Sequence, residues 1–134
     1  MRRLSIVILS LVLGCSLAFA APKELKVGFV YVSPIGDAGW SYAHDQGRQA
    51  VAALPGVTTS YVEAVAEGPD SERVILNMAR KGFNVIFATS FGYMDSMLKV
   101  ARQFPDVVFE HCSGFKLAKN MGNYFGRMYQ ARYL

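Results

Sequence analysis

Two short apolar runs constrain this chain more than any other feature. Val27-Gly28-Phe29-Val30-Tyr31-Val32 is nearly continuous, and Asn84-Val85-Ile86-Phe87-Ala88-Thr89-Ser90 is the second of its kind. A strand that is apolar at odd and even positions alike must be covered on both faces, as in a parallel sheet. Ser33, Pro34, Ile35 and Gly36 break the first run. Asp37 can then cap a helix through its carboxylate, with Trp40 in the opening turn. In open α/β sheets, ligands bind just beyond the carboxyl ends of strands. An aromatic ring and a carboxylate presented there could hold a flat polar ligand.

The rest of the chain repeats the alternation. Trp40, Ala43, Gly47, Ala50, Val51 and Leu54 recur at helical spacing and predict a helix over 38–53 with that face buried. Pro55-Gly56 stops it, and residues 57–65 read as a second strand. A helix over 71–81 follows, capped by Asp70 or Ser71, with Val74, Ile75, Met78 and Ala79 on its apolar face. Acidic side chains open this helix and Arg80 and Lys81 close it, which suits the helix dipole. Gly82 is the expected residue past its end. Residues 84–90 form the third strand. A helix over 93–103 presents Met94, Met97, Leu98 and Ala101, and strands follow over 107–111 and 122–125. The last residues, GRMYQARYL, read as a helix still in progress, so the chain is expected to be part of a longer protein. The order βαβαβαβ implies an α/β fold with a parallel sheet and right-handed crossovers.

The first twenty residues are expected to stand outside that fold. Arg2 and Arg3 precede an apolar stretch from Leu4 to Leu13, and Ala18-Phe19-Ala20 is a small-x-small cleavage signal. This is a secretory signal over 1–20 with cleavage before Ala21; the apolar stretch is shorter than the ~20 residues of a membrane span. Val12-Leu13-Gly14-Cys15 offers a rival lipoprotein cleavage at Cys15, but Leu13 is bulky for that pattern and Ala-Phe-Ala lies closer to the polar boundary. Of 14 basic side chains, two belong to this leader, leaving 12 against 10 acidic ones. They are dispersed, so no nucleic-acid surface is predicted. Cys112 is the one cysteine after the leader and cannot form an internal disulfide. It follows an apolar strand and reads as a buried small hydrophobe.

Parallel strands put the turns 33–37, 66–70, 90–93 and 113–115 on one edge. Trp40, Ser90, Phe91 and Tyr93 bring rings and hydroxyls there, which makes half of a cleft for a planar, hydrogen-bonding solute. Plain structural roles compete at each position: Trp40 and Phe91 as packing, Asp37 and Ser90 as caps. Glu110 and His111, adjacent at a strand end, read as satisfied structural residues rather than an acid/base pair, and His44 as surface or helix packing. There is no GxGxxG after the first strand, and no GxxxxGK[ST], HExxH, paired CxxC or GxSxG. No cofactor, metal or nucleophile chemistry has a foothold in the sequence.

The stretches KVGFVYVSPIGDAGWSYAHDQG, ATSFGY, ARQFPDVVFEHCSG and KNMGNYFGRMYQARYL together resemble the BMP (basic membrane protein) family of ABC-transporter substrate-binding proteins, the purine-nucleoside-receptor-like group. The resemblance implies the N-terminal lobe of a type I periplasmic-binding fold over 21–134, incomplete without a second lobe. It implies a periplasmic receptor, not an enzyme, that delivers a purine nucleoside or base to an ABC permease. Family members carry an Asp and then a base-stacking aromatic in the first turn; Asp37 and Trp40 match these. Ser41 stands where many members have Asn, so a free base such as adenine fits as well as a nucleoside. Ser90-Phe91-Gly92 matches a loop that lines the family's cleft. The competing functional readings are a secreted nucleoside-processing α/β enzyme and a ligand sensor of the same fold. Sensors of that kind carry a DNA-binding helix-turn-helix where this chain has a leader.

Overall fold

The computed structural model describes residues 24–127; the proposed leader and the proposed last helix lie outside them. Five strands form one sheet: β1 (Leu25–Val30), β2 (Val57–Val62), β3 (Val85–Ala88), β4 (Val108–Cys112) and β5 (Met121–Tyr124). Their order across the sheet is β2-β1-β3-β4-β5, and every pairing is parallel. Three helices connect them: α1 (Trp40–Ala52), α2 (Pro69–Arg80) and α3 (Met94–Ala101). The chain steps from β1 outward to β2, then returns to place β3 on the other side of β1. The strand order therefore reverses between β1 and β3, the position where ligands bind in sheets of this kind.

The two faces of the sheet carry separate cores. Val30, Ile86, Ala88, Phe109 and Met121 pack with Ile75, Met78 and Ala79 of α2 and Met97, Val100 and Ala101 of α3. Full burial of a side chain such as Ile86 or Phe109 stabilises by roughly 1.5–3 kcal/mol. Val27, Phe29 and Tyr31 face the other way, toward Val51 of α1. Alternation along β1 thus serves both layers, as the continuous apolar run predicts. Aromatic rings cross this second face: Tyr61 stacks on Tyr31, Phe29 on Phe87 at 4.9 Å, and Phe87 meets the edge of Tyr124.

The helix starts differ from the sequence reading. Residues Ile35–Asp37 make a 3-10 turn, Ala38 follows in the left-handed region, and Gly39 is the cap of α1, so Asp37 is not its N-cap. Helix α2 begins at Pro69 with Gly68 (φ +86) before it, two residues ahead of the expected start. Proline is suited to that first position because its missing N–H has no partner to lose. Ser71 lies inside the helix, where its hydroxyl donates to Gly68 O at 2.7 Å and lies 3.0 Å from Ser96 Oγ of α3. Neither Asp70 nor Ser71 caps it. Strand β2 ends at Val62 because Ala64 turns left-handed (φ +53). Residues Phe91–Tyr93 form a 3-10 turn, which shortens α3 from the expected 93–103. Strands β4 and β5 are each displaced by one residue from the expected spans.

The buried face of α1 is the larger correction. Its buried residues are Ser41 and Asp45, whereas Ala43, Gly47, Ala50 and Leu54 are exposed. The apolar spacing is real, but small side chains carry little burial energy, and β1 offers α1 a polar partner. Tyr31, fully buried, donates its hydroxyl to Asp45 Oδ1 at 3.3 Å. Arg48 Nε and Gln49 Nε2 also donate to that carboxylate, at 2.5 and 2.8 Å. The Arg48 guanidinium lies 4.8 Å over the Tyr61 ring.

Candidate ligand-binding edge

The carboxyl ends of β1 and β3 flank the point where strand order reverses. After β1 the chain is held by side chains from neighbouring elements. Ser41, with no exposed surface, shares a 2.7 Å hydrogen bond with Ser33 Oγ and accepts from Ser33 N. Ile35 N donates to Glu63 Oε2 at 2.8 Å. Among the described residues, Ala38, Ala64 and Ser113 are the non-glycine residues in left-handed conformation, at φ +53, +53 and +75. Ala64 and Ser113 lie just past β2 and β4, and Ala38 lies between the 3-10 turn and α1, all in segments that follow strands on this same edge. Such backbone costs roughly 1–2 kcal/mol per residue, and clustering of strain marks sites where geometry is imposed for function.

Trp40 opens α1 and crosses to the neighbouring strand. Its indole Nε1–H donates to Thr89 O at 2.5 Å, and the ring packs at 4.7 Å against His44. His44 Nδ1 is bonded in turn to Trp40 O at 2.8 Å. The half-buried indole is therefore fixed in orientation at the end of β3. It lines a cavity of about 300 Å³ with Ala43, His44, Cys112, Tyr124 and Phe125. Burial pushes the Tyr124 phenol well above its usual range, with Cys112 beside it as a further cause. Cys112 itself is buried and unbridged, as the sequence predicts.

Ser90, Phe91 and Gly92 form the turn after β3. Ser90 Oγ donates to Glu67 Oε1 at 2.5 Å, and Gly92 N donates to the same oxygen at 3.2 Å. A Cβ on Gly92 would stand 2.1 Å from the Glu67 carboxyl carbon, so the contact depends on glycine. Phe91 is 56% exposed and lies 6.4 Å from the ring of Phe115, itself exposed. Beneath the turn, His111 is fully buried: Nε2 donates to Ser90 O at 2.7 Å, and Nδ1 lies 3.3 Å from Asn123 Oδ1. His111 supports the turn, the satisfied role expected for it. Tyr93 is also buried and donates to Val65 O at 2.6 Å; burial, then the nearby Glu67 charge, raises its phenol.

Of the residues singled out from sequence, Trp40, Ser90, Phe91 and Gly92 thus meet around the end of β3. Asp37 lies in the first turn of the same edge. Ser41 lies beneath that turn, its hydroxyl facing Ser33. Glu67, Thr89 and Glu63 were missed. Glu67 read as a loop residue between β2 and α2; the one available signal was that this loop shares the edge. Among the described residues no cluster of His, Cys, Asp and Glu is placed to hold a metal ion. The edge carries hydrogen-bond acceptors, hydroxyls and aromatic faces.

This parallel sheet, with its strand order reversing between β1 and β3, is a fold shared with solved structures. An ABC transporter solute-binding protein from Conexibacter woesei has this fold, with a TM-score of 0.70, 21% identity, 75% of this chain covered and 35% of that one. The chain belongs to the Bmp family, the PnrA-like ABC transporter substrate-binding proteins, whose family model matches residues 24–134. It is 53% identical over 116 residues to a purine-binding protein of Brucella abortus, covering 85% of this chain and 33% of that protein. It is 51% identical over 113 residues to a Haloferax volcanii protein named as an ABC transporter glucose-binding protein, covering 84% of this chain and 29% of that one. The chain spans about a third of the length of these relatives.

Proposed function

We propose that this chain supplies the first lobe of a periplasmic receptor that binds a purine base or nucleoside and delivers it to an ABC permease. The observation that carries this reading is the Trp40 indole, locked by its bond to Thr89 O at the reversal point of the sheet. A fixed indole beside Ser90, Phe91, Gly92 and the Asp37 turn suits a flat heteroaromatic ring edged with polar atoms. The purine-binding name of the Brucella relative points the same way. Ser41 enters this reading as the residue that holds the Asp37 turn in place. The relatives' length supports a second lobe that completes the cleft. Export through the 1–20 leader fits a receptor, and mass analysis of the secreted protein should find Ala21 as its N-terminus. An acylated Cys15 there would establish lipoprotein anchoring instead.

Stacking of a base on an aromatic ring contributes roughly 1–3 kcal/mol. In the two-lobe receptor, Trp40→Ala should weaken purine binding about 5- to 150-fold by calorimetry. Trp40→Phe should keep part of that affinity, because a ring face remains while the bond to Thr89 O is lost. If Trp40→Ala lowers the melting temperature but leaves affinity intact, the indole is packing and not a ligand platform.

A further inference from the structure

We infer that Glu67 selects among planar solutes at this edge, by accepting a hydrogen bond from an exocyclic amino group of the ring beside Trp40; this rests on the purine reading above. The position of Glu67 is fixed from both sides in sequence. Val65 is buried, with its N–H donating to Tyr31 O at 3.0 Å and its carbonyl accepting from Tyr93. Gly68 O accepts from the Ser71 and Ser96 hydroxyls at 2.7 and 3.1 Å. Between these anchors the Glu67 side chain reaches the turn after β3.

There the two carboxylate oxygens differ. Oε1 takes both donors of the turn, the Ser90 hydroxyl and the Gly92 amide. Oε2 lies against Gly92 and takes no hydrogen bond among the described residues, and Glu67 is exposed. The ion pairs among the described residues join Asp45 to Arg48, Asp70 to Arg73, Glu72 to Lys99 and Asp95 to Lys116, so Glu67 has no cation of its own. A carboxylate oxygen only accepts. With one oxygen committed to the loop, the remaining one suits a single N–H, not a two-point clasp. Consecutive residues carry the two recognition elements: Thr89 holds the indole and Ser90 holds the carboxylate. A ring stacked on Trp40 would therefore present its edge toward Glu67. A 6-aminopurine places a donor there; a 6-oxopurine places a repelled acceptor.

Glu67→Gln keeps a carbonyl oxygen for Ser90 and Gly92 and converts the open position into an N–H donor. Adenine and hypoxanthine would be titrated into the two-lobe receptor and its Glu67→Gln variant by calorimetry. The wild type should prefer adenine. The variant should bind adenine about 10- to 100-fold more weakly, the range of a lost bond to a charged group, with hypoxanthine unchanged or tighter. The adenine-to-hypoxanthine ratio is insensitive to the fraction of protein folded, so a merely structural role would leave it unmoved. An unchanged ratio, in a receptor that does bind purines, overturns the role of Glu67 alone. A wild type that binds neither purine overturns the purine reading and this inference with it.

Discussion

Asp45 is where the chain places a charge in its interior. The Arg48 hydrogen bond is the largest influence on its carboxyl, and with Gln49 and Tyr31 it holds that group below the usual carboxylate range against the cost of burial. A group with a depressed folded pKa stabilises fully above its unfolded value, near 4, and loses that contribution as pH falls through the folded value. The stability that Asp45 contributes should therefore fall on acidification below about pH 4. Asp45→Asn should lower neutral-pH stability by about 1.5–3 kcal/mol and flatten this acid limb, as read from urea melts across pH. An unchanged acid limb would show that other carboxylates govern it. None of this was legible in sequence. Asp45 sits among polar residues of α1, and nothing in its spacing announces that Tyr31, fourteen residues earlier, turns its hydroxyl toward the helix. Trp40 could be singled out because a large ring after a buried strand has few places to go, whereas the contacts of Glu67 with residues 90 and 92 leave no mark on its spacing.

At the level of elements, runs that need burial on two faces were read reliably. β1 buries Val27 to Val30, β3 buries Ile86 and Ala88 with Val85 and Phe87 half-buried between them, and α2 hides Ile75, Met78 and Ala79 as its period predicts. Gly82 is left-handed past the end of α2, the conformation glycine was expected to supply. Helix α1 was misread because alanine and glycine match an apolar stripe without adding much to a core. Helix starts were misread because glycine and proline took the caps assigned to Asp37, Asp70 and Ser71. The joint between α3 and the last two strands is equally invisible in sequence, and Asn120 bridges it. Asn120 Nδ2 lies within hydrogen-bond reach of Ala101 O, Phe104 O and Val107 O, at 3.1, 2.9 and 2.8 Å. Asn120→Ala should leave these carbonyls short of a donor and cost about 1–3 kcal/mol. Thermal melts should show a loss of roughly 4–8 °C per kcal/mol if the lobe unfolds as one small domain. A variant that melts with the wild type would mean that solvent replaces Asn120 without cost.

For the whole molecule, the parallel order of strands does the most work. It places every turn after a strand on one edge, and the step from β2 back across β1 sets the reversal point beside Trp40. That edge brings Trp40, Ser90, Phe91 and Gly92 together, and the proposed function reads it as half of a cleft. Two-lobed receptors close on their solute by hinge motion, so both halves are needed for tight binding. The most direct measurement is calorimetry on the two-lobe receptor with adenine, adenosine and glucose, beside the 21–134 lobe alone. The purines should bind the receptor with Kd of about micromolar or tighter. Glucose should give no heat, and the isolated lobe should bind hundreds-fold more weakly or not at all. Glucose binding without purine binding, or purine binding by the lobe alone as tight as by the receptor, would contradict the reading of this chain as half of a purine site.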